Sequence, residues 1–434
     1  MRLTDKLENL NSVPFHMPGH KRKSKFNLPS ADIDITEIDG FDNLHNPNGV
    51  LLELENDITS LFESKKSFIS VNGSTGGILS TISAVSKSGD KIIIARNCHK
   101  SVYNACFINR LDVKYIEPEF DEKFGIYTRV TQEAVDEAVK AYPDACAVVI
   151  TSPTYEGIVS KINCPIPLIV DSAHGAHFGF AEWLPERAVG DIVVQSLHKT
   201  LPCLTQCAVV HINNEKYISC VKKHLDIFET SSPSYILLES IDKCVDILKS
   251  RKKLFEEYRK NLFSFYSELE KIEGISHLKN DDLTRIVISA DGYTGSELMQ
   301  ILRDFGIEAE GASLSYVILI SSVADERTDF DRLIYSLKSI EKRSKKDFSV
   351  SKISLPEKAF NSFEIEDTLP CLFEEGVGKV CGEYIFAYPP GCPIIAPGEI
   401  ITREICEYIK KLYDKGINIL SDSDLLPSRI LTKR

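Results

Sequence analysis

The chain has 434 residues, 43% of them apolar and 26% charged, an ordinary globular balance with length enough for two or three domains and a core that needs no disulfides. The formal charge of −12 argues against a nucleic-acid surface and against an anionic membrane. The twelve cysteines are scattered without a C-x-x-C pair, and the opening "MRLTDKLENLNS" has no apolar signal core. No apolar run approaches the roughly 20 residues that span a bilayer. These features together predict a reduced, cytoplasmic setting.

Residues 1–50 are rich in Pro, Gly, His and Asn and read as an irregular N-terminal arm. "LLELENDITSLFES" (51–64) carries Leu54, Ile58, Leu61 and Phe62 at the spacing of one helix face. "KSFISVNGSTGGILSTISAVSKSGD" (66–90) reads as strand, Gly/Ser/Thr turn and helix. Short apolar runs then recur: "KIIIA" (91–95), "VKYIEP" (113–118), "CAVVITSP" (146–153), "PLIVDSAH" (167–174), "DIVVQS" (191–196) and "CAVVHI" (207–212). Several lack alternation, as expected of strands covered on both faces of a mostly parallel α/β sheet. Residues 235–272 predict one long, charged connecting helix into a second domain. "TRIVISA" (284–290), "GSELMQILRDFGI" (295–307) and "YVILISS" (316–322) suggest a β-α-β unit, and "KKDFSVSK" (345–352) a linker. The last stretch holds a conspicuous loop, "YPPGCPIIAPGE" (388–399), and a closing helix. The domains expected are the arm (1–50), a large cofactor-binding domain (51–235), a small α/β domain entered by the long helix (236–345) and a C-terminal domain (353–434).

Three pieces carry chemistry. "NGSTGG" (72–77) lies at a strand-to-helix junction, where free N–H groups and the hydroxyls of Ser74 and Thr75 suit a phosphate; such a turn alone is weak evidence. Asp171, in "VDSAHGAHF" (170–178), stands at the carboxyl end of an apolar strand, where ligands bind in open α/β sheets, though an Asp there also caps helices. His174 and His177 are three apart, but no neighbouring ligands complete a metal site, and none is expected. Lys199, in "SLHKTLPC" (196–203), follows another strand and precedes Leu201, Pro202 and Leu204. Apolar company disfavours a charged amine, and a neutral amine is what Schiff-base chemistry requires. An anion cradle, a carboxylate and an amine together fit pyridoxal 5'-phosphate: Ser74 and Thr75 for the phosphate, Asp171 for the ring nitrogen, Lys199 for the aldehyde. His99, in "RNCHKSVYN" (96–104), follows a further strand; it could stack on the ring or simply cap the next helix.

The sequence resembles the Orn/Lys/Arg decarboxylase family. The matching stretches, in the family's order, are "PFHMPGHKR" (14–22), "EIDGFDNLHNPNG" (37–49), "VNGSTGG" (71–77), "ARNCHKSVYNA" (95–105), "TSPTYEG" (151–157), "VDSAHGAHFGF" (170–180), "QSLHKTLPCLTQ" (195–206), "TSSPSY" (230–235) and "YPPGCPIIAPGE" (388–399). The resemblance implies the pyridoxal-phosphate-dependent fold type I, aspartate-aminotransferase-like, with a mostly parallel sheet between helices and a smaller α+β C-terminal domain. It implies decarboxylation of arginine, lysine or ornithine to an amine that feeds polyamine synthesis. Lys199 would bind the coenzyme's aldehyde, Asp171 would keep the ring nitrogen protonated, and His99 would stack on the ring. Ser74, Thr75, Ser196 and His198 would hold the phosphate, with His174 also in the cofactor site. Ser231 would reach the phosphate of a neighbouring subunit, which makes a homodimer or higher homo-oligomer the expected state. Lys199 or His198 would return a proton, and Glu399 would meet the distal cation of the substrate.

Three departures stand out. The family's usual "DEAHGAH" has Ser172 in the glutamate position, its "STHK" has Leu197 in the threonine position, and "IVSKINCPI" (158–166) replaces a crossover helix. A parallel crossover normally takes a dozen or more residues. The strip of sheet left without a helix should therefore be covered by another segment or a second subunit. The resemblance is to the family's compact form, without the extra N-terminal regulatory domain of its larger members. Two other readings share the fold: an aminotransferase, with Arg285 as its carboxylate clamp, and a cofactor-binding protein that has lost turnover.

Overall fold

The computed structural model describes residues 2–344, 346, 352–387 and 391–434. They form two compact units, 1–85 with 167–255 and 86–166 with 256–434.

The first unit opens with α1 (Leu3–Glu8), α2 (Val50–Leu61), β1 (Lys66–Ser70) and α3 (Gly73–Val85). It resumes with β7 (Leu168–Asp171), β8 (Ile192–Ser196), the one-turn α6 (Leu197–Thr200), β9 (Ala208–Ile212), α7 (Ile218–Phe228) and α8 (Tyr235–Lys249). Its strands lie in the order β1-β9-β8-β7, with β7 parallel to β8 and β9 antiparallel to both its neighbours. Every residue of β7, β8 and β9 is buried, which is why these runs show no alternation. Gly77 lets α3 lie close on this sheet: a Cβ there would come within 2.9 Å of Val194 and of Val210.

The arm is more ordered than its composition suggests. Leu3 and Leu7 are buried, and Thr4 donates through its N–H and its hydroxyl to Asp242 on α8, at 3.0 and 2.7 Å. Asp42 accepts N–H bonds from Asn43, Asn48, Gly49 and Leu51 and so seals the start of α2. Burial would raise its pKa, but these backbone donors outweigh burial and hold it low. Tyr235 donates its hydroxyl to the carbonyl of Asp42 at 2.8 Å, so α8 fastens the same turn.

The single helix predicted for 235–272 is two, α8 and α9 (Lys252–Leu269). Arg251, at the break, turns its guanidinium onto the carbonyls of Leu248 and Phe180 at 3.1 and 3.3 Å. That tertiary bond favours a bend, and nothing in the local sequence demands one.

The second unit contains β2 (Lys91–Ala95), α4 (Lys100–Ile108), β3 (Asp112–Ile116), the β4–β5 hairpin (Phe120–Asp121 and Ile126–Tyr127), α5 (Gln132–Ala141) and β6 (Ala145–Thr151). The order β6-β2-β3 is parallel throughout. Between Thr151 and Leu168 there is no helix. The segment is extended instead; Ser152 and Ser160 bond to one another, and Ile158 packs with Phe124, Ile126, Leu278, Val287, Tyr316 and Ile318.

After α9 come β10 (Ile275–His277), β11 (Arg285–Ala290), α10 (Gly295–Asp304), β12 (Gly311–Ala312), β13 (Val317–Ile320) and α11 (Arg327–Lys338). The sheet order is β10-β11-β13-β12, all antiparallel. The expected β-α-β unit is therefore modified. A short hairpin, closed by Ser313 N–H to Tyr316 O at 2.9 Å, reverses the chain before β13 and sets it antiparallel to β11. The expected linker 345–352 lies almost wholly outside the described residues, as do 388–390 of the conspicuous loop. The C-terminal part pairs β14 (Thr368–Leu372) with β18 (Arg429–Lys433) and forms a small sheet from β15 (Ile385–Ala387), β16 (Pro393–Ile395) and β17 (Ile419–Ser421). Helix α12 (Arg403–Asp414) lies between β16 and β17 in the chain, so it is not the closing element.

Candidate functional site

Lys199 is carried on α6, one turn beyond β8. Its Nζ lies 2.9 Å from Nε2 of His174, in the turn that follows β7. The contact lets His174 hold the amine in place. Asp171 ends β7 opposite Val194 of β8, is 4% exposed, and accepts the N–H of Ala173 at 3.1 Å. Asp171 thus stands at the carboxyl end of β7, and Lys199 lies in the turn that follows the neighbouring parallel strand β8. His198 bonds through Nδ1 to the carbonyl of Cys207 at 3.0 Å, and Leu197 N–H reaches the same carbonyl at 3.0 Å. A carbonyl only accepts, so Nδ1 of His198 carries a proton.

A buried polar chain supports these strands. Ser67 on β1 bonds to His211 Nδ1 at 2.8 Å, His211 Nε2 to Gln195 Oε1 at 3.1 Å, and Gln195 Nε2 to the carbonyl of Gly175 at 3.2 Å. Burial, with a smaller push from Arg187, lowers the His211 pKa from 6.5 to about 3, so this ring stays neutral. The chain fixes the turn that carries His174 from three strands away.

At the start of α3, Ser74 is half-buried and Thr75 exposed, in a first turn whose N–H groups have no intrahelical partners. The preceding turn is fastened by Glu229, which accepts from the Ser70 hydroxyl and from Val71 N–H, the latter at 3.2 Å. Burial raises the Glu229 pKa, against these hydrogen bonds. Ser231 follows two residues later and is exposed. Near Lys199, the hydroxyls of Ser172, Ser196 and Thr200 are buried without a partner among the described residues. Buried orphan hydroxyls are uncommon and need an explanation. Together with the first turn of α3, a strand-end carboxylate and a held amine, they fit pyridoxal phosphate. Ser172 and Leu197 are 0% and 1% exposed, so both departures from the family pattern lie inside the protein.

In the second unit, His99 caps α4, its Nδ1 accepting from Ser101 N–H at 3.2 Å and facing Ser101 Oγ at 2.9 Å. The cap fixes the ring's orientation and leaves the proton on Nε2. Glu399 is completely buried, and its Oε2 accepts from Arg96 at 3.1 Å and from Ala396 N–H at 2.8 Å. Burial pushes the Glu399 carboxyl up, and the Arg96 guanidinium opposes it. Glu399, expected to meet a substrate cation, here meets an internal guanidinium and has no exposed surface. Arg96 also donates to the Tyr103 hydroxyl at 2.8 Å and to the carbonyl of Ile394 at 3.0 Å, and it lies over the Tyr115 ring. Sequence reasoning missed this cluster, although an arginine directly after the apolar "IIIA" (92–95) was a signal of a buried charge. Arg285 is likewise 0% exposed, with Gly157 so close that a Cβ there would lie 2.9 Å from its Cγ. It offers no surface as a carboxylate clamp. Among the described residues no group of three or more His, Cys, Asp or Glu is placed to hold a metal.

Residues 5–286 match the family model of the Orn/Lys/Arg decarboxylase major domain, and residues 340–418 match that of its C-terminal domain. The chain belongs to the Orn/Lys/Arg decarboxylase family. It is 34% identical to the uncharacterized protein YaaO of Bacillus subtilis, covering 97% of this chain and 95% of that one. It is 32% identical to an arginine decarboxylase of the same organism, covering 95% and 93%. Among solved structures, the lysine decarboxylase LdcF of Francisella novicida superposes with a TM-score of 0.82 at 17% identity, over 100% of this chain and 81% of that one. An alanine–glyoxylate aminotransferase from Nostoc reaches 0.55 at 14% identity, over 77% and 98%. The decarboxylase family's fold therefore accounts for the whole chain, whereas the aminotransferase shares part of it.

Proposed function

We propose that the chain decarboxylates a basic amino acid with pyridoxal phosphate, releasing CO2 and an amine that serves as a polyamine precursor, and that arginine is its substrate ahead of lysine and ornithine. The observation that carries the reading is the amine of Lys199 held 2.9 Å from His174 at the strand edge where Asp171 ends β7. Arginine is ranked first because the relatives named arginine decarboxylase match this chain over nearly their full length.

When bound, pyridoxal phosphate supplies an electron sink for the pair left behind as CO2 departs. Asp171, buried at the end of β7, would hold a proton on the ring nitrogen. His174 keeps the Lys199 amine in place. Ser196 and the first turn of α3, with Ser74 and Thr75, bind the phosphate through hydroxyls and free N–H groups. Lys199 or His198 would return a proton to the substrate's α-carbon. His99 keeps the stacking role that the resemblance implies, with its ring orientation set by Ser101. We assign the working form to a cytoplasmic homodimer or higher homo-oligomer, with Ser231 contributing to a neighbour's phosphate site. The exposed apolar residues of the arm, Val13, Phe15 and Met17 among them, support self-association.

The test is incubation of the purified protein with arginine, lysine and ornithine, with and without the coenzyme, scoring amines and keto acids. Agmatine from arginine is the expected product. A keto acid would make the protein an aminotransferase, and no turnover despite tight coenzyme binding would make it a binding protein. In parallel, Lys199→Ala should abolish the visible band near about 420 nm that marks a lysine-bound coenzyme.

A further inference from the structure

Four residues beyond Lys199 lies Cys203, and four further on lies Cys207, whose carbonyl holds His198 and Leu197. This stretch rests on one face of α8. Leu204 N–H donates to Ser240 Oγ at 2.8 Å, Ser240 Oγ to Cys203 Sγ at 3.5 Å, and Cys207 Sγ to the carbonyl of Leu237 at 3.5 Å. Cys244 stands one helical turn beyond Ser240 on the same face and is completely buried, as is Cys207; Cys203 is half-buried. Leu237 and Ser240, one turn apart on α8, thus gather the Cys203 and Cys207 sulfurs on the same helix face, and all three cysteines are free thiols. The thiols of Cys207 and Cys244, ahead of the Ser240 hydroxyl, stabilise a thiolate at Cys203 and lower its pKa. A partly accessible thiolate beside a second thiol is the arrangement of a peroxide-reactive cysteine with its resolving partner.

We propose that Cys203 is a peroxide-reactive thiol that closes a disulfide with Cys207 and so reports oxidation to the turn that carries Lys199. The Cys203 sulfur attacks hydrogen peroxide, the O–O bond breaks, and the leaving hydroxide takes a proton to become water. The resulting sulfenic acid is attacked by the Cys207 sulfur, which loses its proton; the S–O bond breaks and a second water leaves. Two thiols are oxidised and one peroxide is reduced to two waters. Cys207 is the partner because both residues lie in the irregular stretch between α6 and β9, where the backbone can adjust to disulfide geometry. Cys244 sits inside α8, which would have to unwind. Closing the bond pulls on the Cys207 carbonyl, and with it on His198 and the turn of Lys199.

The effect on the lysine rests on the proposed coenzyme role of Lys199, whereas the thiol chemistry does not. The test uses the full-length, reduced protein treated with limiting hydrogen peroxide. Peptide mapping should find a Cys203–Cys207 disulfide ahead of any other pair among the twelve cysteines, reversed by dithiothreitol. Cys207→Ala should instead leave a sulfenic acid at Cys203 that dimedone traps. In coenzyme-loaded protein the visible band should shift on oxidation and return on reduction, and Cys203→Ser should diminish the shift at least about tenfold. A Cys203 that stays reduced while other thiols oxidise, or that links to Cys244, overturns the site. A disulfide that leaves the band unchanged overturns its coupling to Lys199. If no band ever forms, the coenzyme assignment fails, and the peptide map still decides the thiol site.

Discussion

The places of Asp171 and Lys199 in the fold could be read from the sequence because Asp171 ends one apolar run and Lys199 follows another by a few residues, where α/β sheets bind ligands. Asp171 is asked to act on the transition state more than on binding. Asp171→Asn keeps the shape and removes the carboxylate proposed to hold a proton on the ring nitrogen. Its kcat should fall at least about 100-fold, roughly 2.7 kcal/mol of barrier, with KM changed far less. Steady-state kinetics on the preferred substrate decide it, and an unchanged kcat removes the assignment. Glu399 shows where single-residue reading stops. Its partner Arg96 lies 303 residues away, and no local pattern couples them. Truncating one member of a buried pair strands the other's charge, so Glu399→Ala should cost about 3–5 kcal/mol of stability. Urea unfolding measures this directly. A variant as stable as the parent, but with a raised KM, would return Glu399 to the substrate.

At the scale of elements, the strands were legible because burial on both faces leaves continuous apolar runs, and α2 was legible because Leu54 and Ile58 share a buried face. The break between α8 and α9 and the hairpin before β13 were not, since Arg251 bonds to a carbonyl 71 residues away and a two-residue strand has no periodicity. The polar chain Ser67–His211–Gln195–Gly175 ties β1, β9 and β8 to the His174 turn, and it has a pH signature. His211 titrates near 6.5 when unfolded and near 3 when folded, because burial disfavours its charged form. Above the unfolded value neither state binds the proton, and the contribution is complete. As pH falls below 6.5 the unfolded chain gains a proton the folded one refuses, and stability is lost towards about 3. At about pH 5 the loss from this group should be about 2 kcal/mol. His211→Phe keeps the stacking against Phe62 and removes the titration. Its stability difference between about pH 7.5 and about pH 5 should be smaller than that of the parent by about this amount, read from denaturant midpoints. An equal difference in both proteins would mean that His211 does not stay neutral.

For the whole molecule, the order of motifs along 434 residues was enough to indicate a pyridoxal-phosphate-dependent decarboxylase fold. Assembly is less legible, because one chain shows only what it leaves uncovered. Val13, Phe15 and Met17 are 73%, 95% and 64% exposed, an apolar cluster beside the basic run Lys21, Arg22, Lys23 and Lys25. The chain as a whole carries −12. A segment both apolar and basic on an acidic protein gains from a second copy in two ways, by burial and by charge. The joint change Phe15→Ser and Met17→Ser removes the first contribution and leaves the second. It should weaken self-association at least tenfold, about 1.4 kcal/mol, in sedimentation experiments across a concentration series. Added salt should weaken the variant proportionally more than the parent, because screening acts on the charge contribution that remains. A parent protein that stays monomeric at every concentration would leave the arm without the partner argued for it, and Ser231 without a neighbouring phosphate to reach.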